Sequence, residues 1–473
     1  MKTKLFLKLL LVTCIAVLSS KMAFGQPKAN SIEGFWLGKL KTQGIELRVI
    51  FNITKDGDNG YKSTLDSPDQ GAKGIPLGKT SLDGKKLNID APALAASYVG
   101  EMVNDSTFNG TWTQAGKSFP LQIVKQKKAL VINRPQEPKG PFQYNIEEVV
   151  VPNKQFGFNL GGTLTLPKGD GPFPAVVLIT GSGQQNRDEE IFGHKPFWVI
   201  ADYLTKRGFA VLRCDDRGVG KSKGSLENVT SYDFSTDALS SVEFLKTDKR
   251  IDSKKIGLIG HSEGGLIAWI LAAQSKDIAF IVSLAGPGVK GEDVLYSQSK
   301  IIAKLSGASD EEIKEDNEIN KIIYSILKSE TDNAKVQQEI IEAAKAFYTK
   351  RNDKETDQKV DAISKSLSQK AYSWLRYFIL SDPNKYLQKI TCPVLALNGS
   401  KDVQVISEIN LPAIEMSLKE AGNKDATIVE VKDVNHLFQH CSTGLPNEYG
   451  NIEETFSEDV LKTMGDWLSK RLL

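Results

Sequence analysis

Ile256-Gly257-Leu258-Ile259-Gly260-His261-Ser262-Glu263-Gly264-Gly265-Leu266-Ile267-Ala268-Trp269-Ile270-Leu271 is the stretch on which the fold turns. A short apolar run meets the pentapeptide Gly260 to Gly264, and a second apolar run follows. This order predicts a buried strand, a sharp turn and a helix. In that context G-x-S-x-G marks a nucleophile and not a chance match. Gly260 and Gly264 leave out Cβ where strand and helix nearly touch. The turn lifts the Ser262 hydroxyl above the sheet edge. The helix that starts there aims its first N–H groups at negative charge forming beside that hydroxyl.

Working outward, the neighbouring segments repeat the strand–helix alternation. Upstream, Phe173-Pro174-Ala175-Val176-Val177-Leu178-Ile179 and Phe209-Ala210-Val211-Leu212-Arg213-Cys214 read as buried strands. Helical segments lie at 197–207 and 232–246, the second with Ala238, Leu239, Val242 and Leu245 on one face. Downstream, Phe280-Ile281-Val282-Ser283-Leu284, Pro393-Val394-Leu395-Ala396-Leu397 and Ala426-Thr427-Ile428-Val429-Glu430-Val431 continue the pattern. An amphipathic helix over 456–472 closes it. Such alternation implies a mostly parallel sheet with helices on both faces, an α/β fold. Residues 146–151 and 161–166 form an antiparallel hairpin that opens it.

Residues 287–387 break the alternation. Ser309-x-x-Glu312 is a capping box for a helix with Ile313, Ile319, Ile322, Ile323, Ile326 and Leu327 on its apolar side. Val336, Ile340, Ile341, Ala344 and Phe347 mark a second helix, and Val360, Ile363 and Leu367 a third. An aromatic stretch, 374–380, is stopped by Asp382-Pro383. A helical insertion at the carboxyl ends of strands sits where ligands bind, so it is expected to cap the nucleophile.

Residues 31–130 read as all-β, a small barrel or sandwich. Ile45, Leu47, Val49, Phe51 and Ile53 alternate with polar residues, and Gly, Asn and Asp punctuate short strands. The segments around Trp36 and Trp112 look like matched strands closing this domain, with both rings in its core. Pro135, Pro138, Gly140 and Pro141 predict an extended linker over 131–145.

The chain has 473 residues, 60 basic and 58 acidic, for a net charge of +2. This balance argues against nucleic-acid binding, which calls for a basic stripe. Lys2, Lys4 and Lys8, the apolar run 9–18 and Ala23-Phe24-Gly25 predict a signal peptide over 1–25 and export to the periplasm or beyond. A lipoprotein signal acylated at Cys14 fits less well, since Thr13 is bulky and apolar residues continue past the cysteine. No later stretch is long and apolar enough to span a membrane. Cys214, Cys392 and Cys441 remain, an odd number that leaves room for one bridge at most. No zinc-binding spacing occurs, and no cofactor or metal is implied. Gly218-Val219-Gly220-Lys221-Ser222 is not a phosphate loop, because Asp215 stands where that loop needs glycine.

A serine hydroxyl needs a base within reach, and the base an orienting carboxylate. Beyond the elbow's own His261, whose ring should point away, the histidines are His194, His436 and His440. His436 lies just past the last strand and is the expected base, with His440 in reserve one helical turn on. His194 is placed at the pocket wall or on the surface. Asp402 follows the penultimate strand. Asp433 is too close in sequence to reach round the ring. The order Ser262, Asp402, His436 is the hydrolase order. The developing oxyanion needs N–H donors. Glu263 supplies one, and the loop Gly181-Ser182-Gly183-Gln184 the other, with Gln184 favoured and Ser182 and Gly183 beside it. Arg187, Asp188 and Glu189 read as salt-bridged loop supports.

These features together resemble the α/β-hydrolase superfamily. The loop Gly181-Ser182-Gly183-Gln184-Gln185-Asn186-Arg187-Asp188-Glu189 and the run Asp216 to Ser222 bring the chain closer to bacterial EstD-type carboxylesterases, which also join an N-terminal domain to a hydrolase core. The β domain resembles the lipocalin-like modules found ahead of bacterial serine hydrolases. The resemblance covers 146–473 except the cap. It implies hydrolysis of carboxylic esters with short to medium acyl chains, the partner being a small-molecule ester. A serine peptidase or aminopeptidase on the same fold is the nearest alternative. A catalytically dead lipid- or glycan-binding protein is the alternative from another class.

Overall fold

The computed structural model describes residues 31–473 apart from 43–44, 58–59, 71, 115, 130–132 and 368–370. The predicted signal peptide and Cys14 lie outside the described residues. The chain divides into two compact units, the first running to Leu130 apart from two short segments.

The first unit is a closed antiparallel barrel. Its strands are β1 (Gly34–Thr42), β2 (Ile45–Asp56), β3 (Gly60–Ser67), β4 (Ala72–Pro76), β5 (Thr80–Asp83), β6 (Lys86–Ala91), β7 (Ala96–Asn104), β8 (Thr107–Gln114) and β9 (Lys117–Gln126). They run in the order β2-β1-β9-β8-β7-β6-β5-β3-β4, and pairing of β2 with β3 closes the ring on eight of them. Closure removes the unpaired edges an open sheet would expose. Val49, Phe51 and Ile53 point inward, as their alternation demands. Trp36 and Trp112 are buried there too, Trp36 edge-on to Phe108 at 4.9 Å. The expected strand match needs one correction. The strand of Trp36 pairs with β9, Phe35 opposite Gln126 and Gly38 opposite Ile123, and not with the strand of Trp112, which is β9's other neighbour. Turn signals count strands but do not set which ends meet.

The second unit is built on β10 (Asn145–Asn153), β11 (Phe158–Leu166), β12 (Phe173–Ile179), β13 (Ala210–Cys214), β14 (Ile251–His261), β15 (Ile281–Leu284), β16 (Val394–Gly399) and β17 (Ala426–Val431). Their order is β10-β11-β13-β12-β14-β15-β16-β17. β10 and β11 form the predicted antiparallel hairpin, β11 meets β13 antiparallel, and the rest are parallel. Central strands read as unbroken apolar runs because both faces are covered. On one face lie α2 (Ser231–Thr247), α3 (Glu263–Ala272) and α10 (Ser407–Glu420), which bury Val242, Leu266, Ile270, Ile414 and Leu418. On the other lie α1 (Pro196–Lys206) and α12 (Glu458–Leu472), which bury Phe197, Leu204, Val460, Met464 and Leu468. This is the α/β-hydrolase fold, with β14 at the centre and its carboxyl end leading into the elbow.

Between β15 and β16 stand α4 (Gly291–Leu305), α5 (Asp310–Ser329), α6 (Asn333–Lys350), α7 (Thr356–Ser366), α8 (Tyr372–Leu380) and α9 (Asn384–Leu387). The Ser309–Glu312 capping box opens α5 as expected. Helix α4 was not foreseen. The insertion has a small core of its own, with Ile323, Leu327, Val336, Ile340, Ala344 and Tyr372.

The proline-rich segment before β10 is docked on the second unit. Arg134 is buried, and its guanidinium donates to the carbonyls of Phe192 (2.9 Å), Gly450 (3.0 Å) and Ile452 (2.6 Å). Gln136 bonds the backbone of Thr455 and Phe456. No helix among the described residues is long and apolar enough to cross a membrane.

Candidate active site

Ser262 caps α3 with φ 53° and ψ −119°, a conformation that L-residues rarely adopt. Such strain costs about 1–3 kcal/mol and persists only where the surroundings leave no alternative. Here they leave none. A Cβ on Gly260 would lie 2.1 Å from the Gly264 oxygen, and one on Gly264 would lie 2.2 Å from the Ile179 oxygen. The Ser262 N–H is tied to the Leu284 carbonyl at 2.8 Å. Strand, turn and helix are therefore clamped against β12 and β15.

Asp402 lies in the turn after β16, buried. Its Oδ1 accepts the N–H groups of Gln404 (2.8 Å) and Val405 (2.9 Å), and its Oδ2 meets Nδ1 of His436 at 2.8 Å. A carboxylate at Nδ1 places the proton there and leaves Nε2 as an acceptor. His436 sits in a compact loop after β17. The loop is drawn in by Asn435, whose side-chain oxygen accepts the N–H groups of Leu437 and Gln439, and by a bridge between Val434 and His440. The turn of helix expected between His436 and His440 is absent. His440 is exposed and bonded to Glu454, so it does not compete for the position. Asp433 pairs with Lys401. His194 is fully buried, with Nδ1 3.0 Å from the Thr455 hydroxyl, and neither lines the pocket nor reaches the surface. Burial, with Arg134 nearby, holds its ring down to about 4.

Among the described residues the Ser262 hydroxyl makes no hydrogen bond. Its neighbour His261 ties the elbow to the loop of His436. His261 Nε2 lies 2.9 Å from the His436 carbonyl, and the two rings are 4.8 Å apart at their centres. The loop after β12 passes the elbow so closely that a Cβ on Gly181 would lie 3.2 Å from Cβ of Ser262. Gly183 and Glu263 line a cavity between β12, α2 and α3, and Ser182, Gly183 and Gln184 are all exposed. The supports of this loop include two expected sets of ion pairs, Arg187 with Asp215 and Glu148 and Asp188 with Arg213, while Glu189 Oε1 lies 2.9 Å from Nδ1 of His261.

The cavity, about 50 Å³, has acidic walls. The Glu263 carboxylate is buried and accepts from Ser231 (2.6 Å) and from Trp374 of α8 (2.8 Å). Burial raises its proton affinity against those two bonds. Asp216 is pushed up to about 7, by burial first and then by the charges of Glu189 and Glu263, against bonds from Thr180 and the Gln185 N–H. Trp374, Asp216 and the Glu189–His261 pair were not foreseen as parts of one site. Only the loop motif ending in Glu189 hinted at them. Cys214, Cys392 and Cys441 are unpaired, and burial pushes their thiols up to about 12, 11 and 11. Among the described residues no cluster of His, Cys, Asp or Glu could hold a metal ion.

A family model described as X-Pro dipeptidyl-peptidase (S15 family) matches residues 157–413. Esterase EstD of Thermotoga maritima is 29% identical over 311 residues, 64% of this chain. The match spans 65% of EstD's length. The putative hydrolase YtaP of Bacillus subtilis is 30% identical over 133 residues, 25% of this chain and 44% of that one. Among solved structures, the esterase Pf2001 of Pyrococcus furiosus aligns with 73% of this chain and 100% of its own, at 15% identity and a TM-score of 0.44.

Proposed function

Since the chain belongs to the X-Pro dipeptidyl-peptidase (S15) family, we propose that it is a serine hydrolase that cleaves carboxylic esters of short to medium acyl chain. The observation that carries this reading is the 2.8 Å Asp402–His436 bond beside a serine held on a strained strand-to-helix turn. Ser262 Oγ attacks the ester carbonyl carbon while its proton passes to Nε2 of His436. Asp402 orients that ring and stabilises its charge. The oxyanion is met by the Glu263 N–H and by an N–H of the Ser182–Gln184 loop. The tetrahedral centre collapses, the alcohol leaves with the proton from His436, and an acyl-enzyme remains on Ser262. Water, deprotonated by His436, then releases the acid. The similarity to EstD supports the ester.

The test is Ser262→Ala with p-nitrophenyl butyrate. Turnover is expected to vanish into the background while the melting temperature stays unchanged. Wild-type rates in that variant would end the assignment. Wild-type protein should also take up a fluorophosphonate probe at Ser262; a dead binding protein would stay unlabelled.

A second reading is peptide cleavage, favoured by the family description and by the acidic wall of Glu263 and Asp216, which suits a protonated amine. Comparing kcat/KM on p-nitrophenyl butyrate with that on an Xaa-Pro p-nitroanilide separates the two. We further propose that residues 1–25 direct export; cell fractionation with N-terminal sequencing of the mature chain tests this.

A further inference from the structure

His261 is the buried titratable group that the proposed mechanism leaves unused. Both of its ring nitrogens are occupied. Nδ1 lies 2.9 Å from Glu189 Oε1, and Nε2 lies 2.9 Å from the backbone carbonyl of His436. A carbonyl oxygen only accepts, so Nε2 must carry a hydrogen. Glu189 Oε1 already accepts the Gly181 N–H at 2.7 Å. A protonated Glu189 donating from Oε1 to Nδ1 would meet the Gly181 N–H with a hydroxyl oxygen, a weaker acceptor than the carboxylate oxygen that the charged pair places there. The charged arrangement, with hydrogen on Nδ1 as well, is therefore the one that best satisfies all three bonds. We propose that His261 is held as an imidazolium in the resting protein, and that it is a positioning residue joining the loop of His436 to the loop of the oxyanion donors.

The backbone supports this assignment. Glu189 adopts φ 50°, so its carboxylate is delivered by strained chain, and Ser262 beside His261 adopts φ 53°. The charged and titratable groups facing the ring are Glu189 from the loop after β12, Asp402 from the turn after β16, and His436 from the loop after β17. Its other neighbours are apolar, Phe438 at 6.4 Å among them, with Leu284, Leu437 and Phe456 lining the adjoining gap. Burial works against the charge. The Glu189 carboxylate, its hydrogen bond, the His436 carbonyl and Asp402 outweigh that, and hold the ring above the usual imidazole range.

One consequence follows for the reaction. The Gly181 peptide, fixed through Glu189, sets the direction of the N–H groups that come after it. The kinetic part rests on the serine-hydrolase reading; the charge state does not.

The charge state is measured on the full chain by ring-nitrogen NMR with labelled histidine. There are four histidines to resolve, and substituting exposed His440 begins the assignment. Both nitrogens of His261 should be protonated at pH 7. One unprotonated nitrogen at pH 7 would overturn the proposal, whatever the protein hydrolyses. For the positioning role, His261→Gln should lower kcat by about 10–100-fold with KM little changed, as expected when a reacting group is displaced. A folded variant with unchanged kcat, or one whose loss lies in KM, would refute the role. Wild-type protein that neither turns over esters nor reacts with fluorophosphonate would count against the hydrolase reading alone.

Discussion

Asp402 has both carboxylate oxygens engaged, one by two backbone N–H groups and one by His436. Asp402→Asn cannot satisfy all three, because one of its termini must donate. The variant is expected to lose kcat by about 10³–10⁴-fold with the wrong histidine tautomer, read as kcat on p-nitrophenyl butyrate. Asp216 gives a pH signature of a different sign. Its folded affinity for protons is raised, so the native state holds a proton that the unfolded chain releases. Stability is therefore greatest below the ordinary carboxylate range and falls as pH rises from about 4 to about 7. Asp216→Asn removes that dependence. Its melting temperature relative to wild type should climb across that window and stay level above it, followed by thermal denaturation at a series of pH values. At this scale the sequence is readable where chemistry follows chain order. Ser262, Asp402 and His436 each end a strand and stand in the hydrolase order. The pairing of His261 with Glu189 spans 72 positions and leaves no local signal. Proximity of His261 to Ser262 in sequence suggested only that the ring turns away.

Helix α8 reaches from the insertion to the elbow through one bond, Trp374 Nε1 to Glu263 Oε1. Ser231 of α2 donates to the same oxygen. Trp374→Phe keeps the ring stacked on Phe378 and removes only the donor. It should lower stability by about 1–3 kcal/mol, the range for a buried acceptor that loses a partner. Because Ser231 shares the acceptor, Trp374→Phe and Ser231→Ala should couple by at least about 0.5 kcal/mol in a double-mutant cycle of denaturation. Additive losses would show that the two donors act independently. The helices themselves were legible where a cap or a stripe announced them, as Ser309 and Glu312 do for α5. Helix α4 is as amphipathic as α5, but Lys290 at its N-cap makes no side-chain bond, so no cap announces its start. Barrel strands were legible by alternation, while their neighbours were not, since period-two patterning is the same whichever strand lies alongside.

Each of the two units has its own apolar core, one inside the barrel and one on each face of the hydrolase sheet. Separate cores allow separate melting. Calorimetry of the full chain is expected to show two components. A single transition with matching calorimetric and van't Hoff enthalpies would contradict this. Where to sever the chain is decided by Arg134. Its guanidinium serves four main-chain carbonyls on the hydrolase side, at Phe192, Gly193, Gly450 and Ile452. A fragment trimmed back to the first strand of the sheet would strand those oxygens in a dry interior. The scissors belong upstream of Asn133, even though the prolines that follow look like dispensable tether.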